Sequence, residues 1–148
     1  MADKNGQWSG QFLDRLLKSD SLRNFGYNGA VCGYEFEVVS NDYRGTYLSC
    51  VEEISFKMDG NPIPEDKIVF FINNKRFLLK HLKELYAEYW FTVDYAIIRV
   101  YQDGGLAPGK HTINYHLVTR IPFSGYFGSY RNADTTVSNT FTLQEGKK

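Results

Sequence analysis

Apolar and polar residues alternate with a period of two over most of the chain, the mark of strands with one buried face. The pattern is densest from Val51 to Phe77. Ile54, Phe56 and Met58 alternate with Ser55 and Lys57. Asp59-Gly60-Asn61-Pro62 then breaks the run, because Asp-Gly favours a tight turn at positive φ and Pro62 cannot donate to a ladder. Ile68, Phe70 and Ile72 resume the alternation, and Asn73-Asn74 offers a second turn. The expectation is a hairpin, two strands joined by a proline-containing loop, forming the first half of a sheet core on which the rest packs.

The remaining segments follow the same logic. Tyr34, Phe36 and Val38 alternate with Glu35 and Glu37, which places the two carboxylates on a solvated face. Ala96, Ile98 and Val100 form another alternating run. Ile113, Tyr115 and Leu117 start one that continues to Ile121, and Thr136–Leu143 is a last strand. The period changes between Leu78 and Trp90. There Leu78, Leu79, Leu82, Leu85, Tyr86 and Tyr89 share a helical face opposite Lys80, Lys83, Glu84 and Glu88, so one short helix is expected at an end or edge of the sheet. Phe12, Leu13, Leu16 and Leu17 also have helical spacing and mark a short helix or an extended arm. Asn24–Gly33, Asp103–Lys110 and Pro122–Asp134 read as turns and loops by composition. The fold class is therefore mainly β, an antiparallel β-sandwich or jelly-roll-like single domain with one short inserted helix. Residues 1–27 form an N-terminal arm or short helix and residues 28–145 the sandwich domain.

The length, 148 residues, allows one sizeable core. Seventeen Lys and Arg balance 17 Asp and Glu, which argues against nucleic acid as a partner, since that needs an excess of cations. The 11 Tyr, 11 Phe and two Trp suit strands and also an interface core. No apolar run is long enough to span a bilayer, and the N-terminal stretch has no signal-peptide pattern. A cytoplasmic chain follows, with no membrane partner and with Cys32 and Cys50 as reduced, unbridged thiols.

Candidate chemistry is sparse. Gly104, Gly109 and Lys110 have phosphate-loop spacing, but His111 stands where a hydroxyl is needed and a strand follows instead of a helix. That stretch reads as a strand-to-strand loop. His81, His111 and His116 have no metal-ligand spacing, and His111 and His116 fall on opposite faces of any one strand. No nucleophile motif is present, so no catalytic and no metal-ligating residue is assigned to this chain. The least ordinary segment is Phe123-Ser124-Gly125-Tyr126-Phe127-Gly128-Ser129-Tyr130, four aromatics among small residues. Burial in a partner is its first reading, core packing the second and sugar stacking the third. Tyr43, Arg44 and Tyr47 are also interface-type residues, around a Gly45 that permits a turn or bulge.

Several stretches together resemble the small β subunit of bacterial C-glycoside deglycosidases. They are Tyr43-Arg44-Gly45 with Leu48-Ser49, Glu53-Ile54 to Asp59-Gly60 with Ile63-Pro64, Trp90-Phe91, Gly104-Gly105-Leu106 with Pro108-Gly109-Lys110-His111, and Arg120-Ile121-Pro122. Each is weak alone; their order and spacing over residues 28–143 carry the resemblance. It implies a β-sandwich-like accessory chain bound to a large TIM-barrel-type catalytic (α) subunit in a hetero-oligomer. The pair would cleave the carbon–carbon bond of 3-oxo-C-glucosides of flavonoids or similar aglycones. Proton abstraction beside the ketone would be assisted by a histidine base and a divalent metal, manganese, both on the partner, with no cofactor on this chain. The expected subunit interface is Tyr43, Arg44, Tyr47, Phe123, Tyr126, Phe127 and Tyr130. The alternative from another class is an independent carbohydrate-binding β-sandwich module.

Overall fold

The structure is a computed structural model and describes residues 16–41, 45–91, 94–121 and 131–143. Its strands, in chain order, are β1 (Arg23–Tyr27), β2 (Ala30–Val38), β3 (Thr46–Tyr47), β4 (Val51–Met58), β5 (Asn61–Pro62), β6 (Ile68–Ile72), β7 (Lys75–Leu78), β8 (Tyr89–Trp90), β9 (Ala96–Tyr101), β10 (Gly109–Ile121) and β11 (Arg131–Leu143). They make a five-stranded sheet, β1-β2-β9-β6-β7, a four-stranded sheet, β11-β10-β4-β5, and a two-stranded ribbon, β3-β8. All the strand pairings are antiparallel. The mainly β, antiparallel class expected from the alternation is the one observed.

The alternating apolar positions meet between the two larger sheets. Phe36 of β2 packs edge-on against Phe56 of β4, with ring centroids 5.3 Å apart. Phe56 in turn stacks on Tyr115 of β10 at 5.1 Å. Tyr115 is fully buried, yet its hydroxyl donates to the Val39 carbonyl at 3.1 Å, and burial pushes its phenol well above the ordinary range. A small polar cluster lies within this core, centred on Asn41. Asn41, wholly buried, shares its two Nδ2 hydrogens among the carbonyls of Leu117 (3.1 Å) and Ala133 (3.0 Å) and Thr135 Oγ1 (3.0 Å). Its Oδ1 accepts from Thr119 Oγ1 at 2.8 Å.

Both predicted turns form. Asp59 and Gly60 have φ of 52° and 84°, and Asn73 and Asn74 have 54° and 61°, the left-handed pair that matches the twist of a hairpin. The hairpin expected between Ile54–Met58 and Ile68–Ile72 does not. β4 belongs to the four-stranded sheet and β6 to the five-stranded one. After the Asp59-Gly60 turn, β5 pairs with Lys57 and Met58 for only two residues. Pro62 has no N–H to give, the Ile63 amide makes a last bond to the Phe56 carbonyl at 3.0 Å, and the 3-10 turn Glu65–Lys67 then leads the chain to the other sheet.

Three further expectations are corrected. The helix over Leu78–Trp90 is a 3-10 run, Leu79–Glu84, with Leu79 and Leu82 as its buried residues. Their spacing of three matches that tighter helix, and Tyr89–Trp90 are extended as β8. The loop expected over Pro122–Asp134 gives way to strand at Arg131. Glu35, expected on a solvated face, is only 6% exposed. The turn-rich stretch Asn24–Gly33 closes a hairpin at Asn28 (φ 51°) and Gly29 (φ 81°), which lays β1 beside β2 and sets Arg23 opposite Glu35. Arg99 faces Glu35 from β9. Arg23 Nε lies 2.6 Å from Glu35 Oε2, and Arg99 Nε and Nη2 lie 2.9 and 2.8 Å from Oε1. The rings of Phe25 and Phe71 flank the Arg99 guanidinium at 4.4 and 4.7 Å.

A second ionic contact ties the β4–β5 turn to the start of β10 and, through the same ring, to the loop before it. His111 Nδ1 is 2.7 Å from Asp59 Oδ2, and Nε2 is 2.6 Å from the Ala107 carbonyl. Both partners accept, so the ring donates from both nitrogens and carries a proton on each. Partial burial works against that charge. The hydrogen bonds to Asp59 and Ala107 and the Asp59 charge outweigh it, and the His111 pKa is raised. The His111 hydrogen bond first, then the Thr112 amide and the His111 charge, lower the Asp59 pKa against a desolvation cost. The nearby Tyr34 phenol is pushed up to about 12, by burial first and by Asp59 second, and stays neutral.

The sign of the pH dependence follows from these directions. The His111 share of stability is full below an unfolded pKa of about 6.5 and is lost as pH rises through the higher folded value. The Asp59 share is full above about 3.9 and is lost as pH falls through the lower folded value. Urea unfolding of wild type and His111→Ala should therefore differ most between about pH 4 and pH 6.5, with a gap that narrows at alkaline pH. A gap independent of pH would mean that the ring is neutral.

Candidate functional site

The ribbon β3-β8 stands apart from the two large sheets and carries a concentration of exposed aromatic surface. Thr46 pairs with Trp90, and Tyr47 with Tyr89. Alternation then sorts the four side chains. Trp90 points inward and is wholly buried, edge-on to Phe70 at 5.2 Å, with its indole N–H donating to the Asp94 carbonyl at 2.9 Å. Tyr47 and Phe91, by contrast, are 47% and 54% exposed. Tyr89 lies between them, 4.8 Å from the Tyr47 ring and 4.7 Å from the Phe91 ring. Three aromatic rings thus form one edge-to-face row on a ribbon held to the core by a tryptophan. Exposed aromatic rows of this kind mark contact surfaces.

Polar contacts fix the row from one side. Asn73 Nδ2 donates to the Tyr89 carbonyl at 2.9 Å, and Lys75 Nζ lies 2.6 Å from Glu88 Oε2. The Lys75 hydrogen bond is the main reason that the Glu88 carboxyl titrates below its ordinary range. The Leu48 amide donates to the Glu88 carbonyl at 3.0 Å. The Asn73 and Lys75 bonds pin the ribbon to the β6–β7 turn, and the Leu48 bond closes the ribbon itself.

Gly45 opens the ribbon and has a role that only glycine fills. Its φ is +100°, and a Cβ there would lie 2.4 Å from the Trp90 carbonyl oxygen and 3.0 Å from the Phe91 Cα. The turn or bulge expected at this glycine is thus a close approach of two backbones.

Of the residues expected at an interface, Tyr47 is in this row. Tyr43, Arg44, Phe123, Tyr126, Phe127 and Tyr130 lie outside the described residues. Tyr89 and Phe91 were missed because Tyr89 fits a helical face as well as a strand. The signal was in the period-two run Tyr89-Trp90-Phe91. The other chemistry-bearing side chains sit elsewhere. His116 Nε2 is 2.8 Å from Asp134 Oδ1 on β11, and Cys32 and Cys50 are both free thiols. The loop expected over Asp103–Lys110 joins β9 and β10, but ends at Pro108, since Gly109 and Lys110 already belong to β10. Among the described residues no three His, Cys, Asp or Glu side chains converge to hold a metal ion, and no helix is long and apolar enough to cross a membrane.

A family model described as C-glycoside deglycosidase beta subunit matches residues 12–123. A C-glycoside deglycosidase beta subunit of Eubacterium cellulosolvens is 30% identical over 102 residues, which cover 68% of this chain and 69% of the relative. One of the same description from Microbacterium trichothecenolyticum is 27% identical over 113 residues, 74% of this chain and 79% of the relative. A 3'-dehydrocarminate deglycosidase beta subunit of a Microbacterium species is 27% identical over 114 residues, 76% of this chain and 80% of the relative.

The ribbon's geometry predicts a steep cost at its first residue. Gly45→Ala should destabilise the chain by about 2 kcal/mol, from the left-handed φ and the backbone clash together. It should also shift the fluorescence of Trp90 as its pocket opens. Thermal unfolding and emission spectra check this; a variant as stable as the wild type would show that the two backbones do not meet there.

Proposed function

The chain belongs to the C-glycoside deglycosidase beta subunit family, and we propose that it is the accessory subunit of a two-chain, carbon–carbon bond-cleaving deglycosidase. Its substrates in this reading are 3-oxo-C-glucosides of flavonoids or similar aglycones. The 3'-dehydro substrate in the name of the Microbacterium relative fits an oxidised sugar. The partner is a large TIM-barrel-type subunit in the cytoplasm. It supplies the base and the divalent metal, manganese, whose Lewis acidity suits an enediolate formed beside a ketone. This chain supplies a docking surface and adds no acid, base or metal ligand to the step.

The observation that carries the reading is the row Tyr47–Tyr89–Phe91. Rings that are half exposed, mutually packed and anchored by a buried tryptophan are ordered before any partner arrives, so little entropy is lost when they are covered. Tyr43 and Arg44 precede the ribbon directly in sequence and belong to the same proposed surface. The loop with Phe123, Tyr126, Phe127 and Tyr130 is its second proposed part.

Two measurements on the co-expressed pair test this. The chain purified alone should release no aglycone from a 3-oxo-C-glucoside with manganese present, whereas the pair should. Tyr47→Ala with Phe91→Ala should weaken association with the large subunit by on the order of thirtyfold, about 2 kcal/mol, as expected for a central anchor. The circular dichroism of the small chain should stay unchanged. Turnover by the small chain alone, or unaltered association of the double variant, would overturn the proposal.

A further inference from the structure

Sheet edges expose unpaired N–H and C=O groups, and proteins that stay apart blunt them by shortness, charge, proline or a bulge. Three of the four edges of the two large sheets are blunted in these ways. β1 has five residues, begins with Arg23 and carries a register shift between Phe25 and Gly26. β7 has four residues and begins Lys75-Arg76. β5 has two, one of them Pro62. The fourth edge is β11, with 13 residues, about 44 Å of strand. Among the described residues nothing pairs with its outer side; its ladder runs to β10 alone. From Thr135 to Leu143 it has no charge, no proline and no glycine, and its register with β10 runs unbroken from end to end.

Its side chains are sorted for a strand that continues a sheet. Ala133, Thr135, Val137, Phe141 and Leu143 are buried in the core, while Thr136, Ser138, Thr140 and Thr142 face outward. The outward row already makes a cross-strand hydroxyl pair within the hairpin, Thr112 Oγ1 to Thr140 Oγ1 at 3.0 Å. The same chemistry is available across the open edge.

We propose that β11 is a homotypic interface, pairing antiparallel with β11 of a second copy of this chain. The two four-stranded sheets then become one of eight strands. An edge is complementary to itself under a twofold axis, and this strand's neutrality removes the like-charge contact that would oppose it. With the axis at Ser138, Thr136 falls opposite Thr140 of the second copy and Asp134 opposite Thr142, so no two carboxylates meet. The family match ends at residue 123, before β11 begins at Arg131. The inference therefore stands apart from the proposed docking row and adds a pairing of small subunits to it.

Analytical ultracentrifugation of the full chain, and native mass spectrometry of its complex with the large subunit, test it. The wild type should sediment at twice its 17.1 kDa chain mass, and complexes should contain small subunits in pairs. Thr136→Lys with Ser138→Lys sets like charges across the axis and should raise the dimer dissociation constant at least about tenfold. Ser55→Lys, on the inner strand β4, should leave the dimer intact. Amide hydrogen exchange of the wild type should slow within Asp134–Thr142 as protein concentration rises, which decides the matter even if the double variant misfolds. A monomeric wild type with concentration-independent exchange would overturn the proposal, and so would a folded edge variant that remains dimeric. Protection that arises only with the large subunit, in a complex holding one small chain, would make the large subunit the occupant and refute self-pairing.

Discussion

The buried amide of Asn41 is the constraint on which the arrangement of the sandwich depends. It stands three residues past the end of β2 and bonds to two carbonyls and two threonine hydroxyls of the β10–β11 hairpin. A hydrophobic core alone tolerates sliding of one sheet over the other. An amide with directional bonds, in a fully buried site, does not, because any slip leaves polar groups unpaired at a cost of about 1–3 kcal/mol each. Asn41 therefore sets where the chain leaves the first sheet relative to the second. The ribbon opens at Gly45, and its far strand is fixed by the buried Trp90, whose indole N–H bonds to the Asp94 carbonyl. The aromatic row is thus held by a buried anchor, although its own rings are exposed.

Much of this was legible in the residues. Tyr34, Phe36, Val38, Ile98, Val100, Ile113, Tyr115 and Leu117 alternate in sequence and are buried in the structure. The Asp-Gly and Asn-Asn turns state their own geometry. What was not legible depends on partners distant in sequence. Glu35 looks solvated until Arg23, 12 residues before it, and Arg99, 64 after it, are brought alongside. β4 and β6 look like one hairpin because periodicity reports which face is buried and says nothing of which sheet a strand joins.

The stretches that resemble the family behave in the same way. Tyr43-Arg44-Gly45 and Trp90-Phe91 are scattered in sequence, but the Gly45 backbone abuts Trp90 and Phe91. Asp59-Gly60 and Pro108-Gly109-Lys110-His111 meet through the Asp59–His111 contact. Motifs that were weak singly are pairs of contacting segments, which gives a physical reason for their occurring together. The expected interface fared differently. Tyr47 could be placed, while its companions in the row, Tyr89 and Phe91, became visible only when Trp90 was seen to point inward.

The passage of the chain between sheets, at Pro62 to Lys67, has a consequence for how the protein acquires its structure. Because β4 and β6 part company, each has only a short hairpin partner close by, β5 or β7, and must find its other neighbour far along the chain. β4 waits for β10, with Phe56 opposite Tyr115, and β2 waits for β9, with Phe36 opposite Ile98. Closing loops of that length before any contact rewards them makes for slow, late folding. On the ribosome, β2 has β1 and the Leu16–Lys18 bridge on one side but nothing on the other until the Ala96–Tyr101 segment emerges, so an apolar strand edge stays open through much of synthesis. The blunt, charged design of β1 protects the outer side of that growing pair, and the inner side has no such protection until β9 arrives.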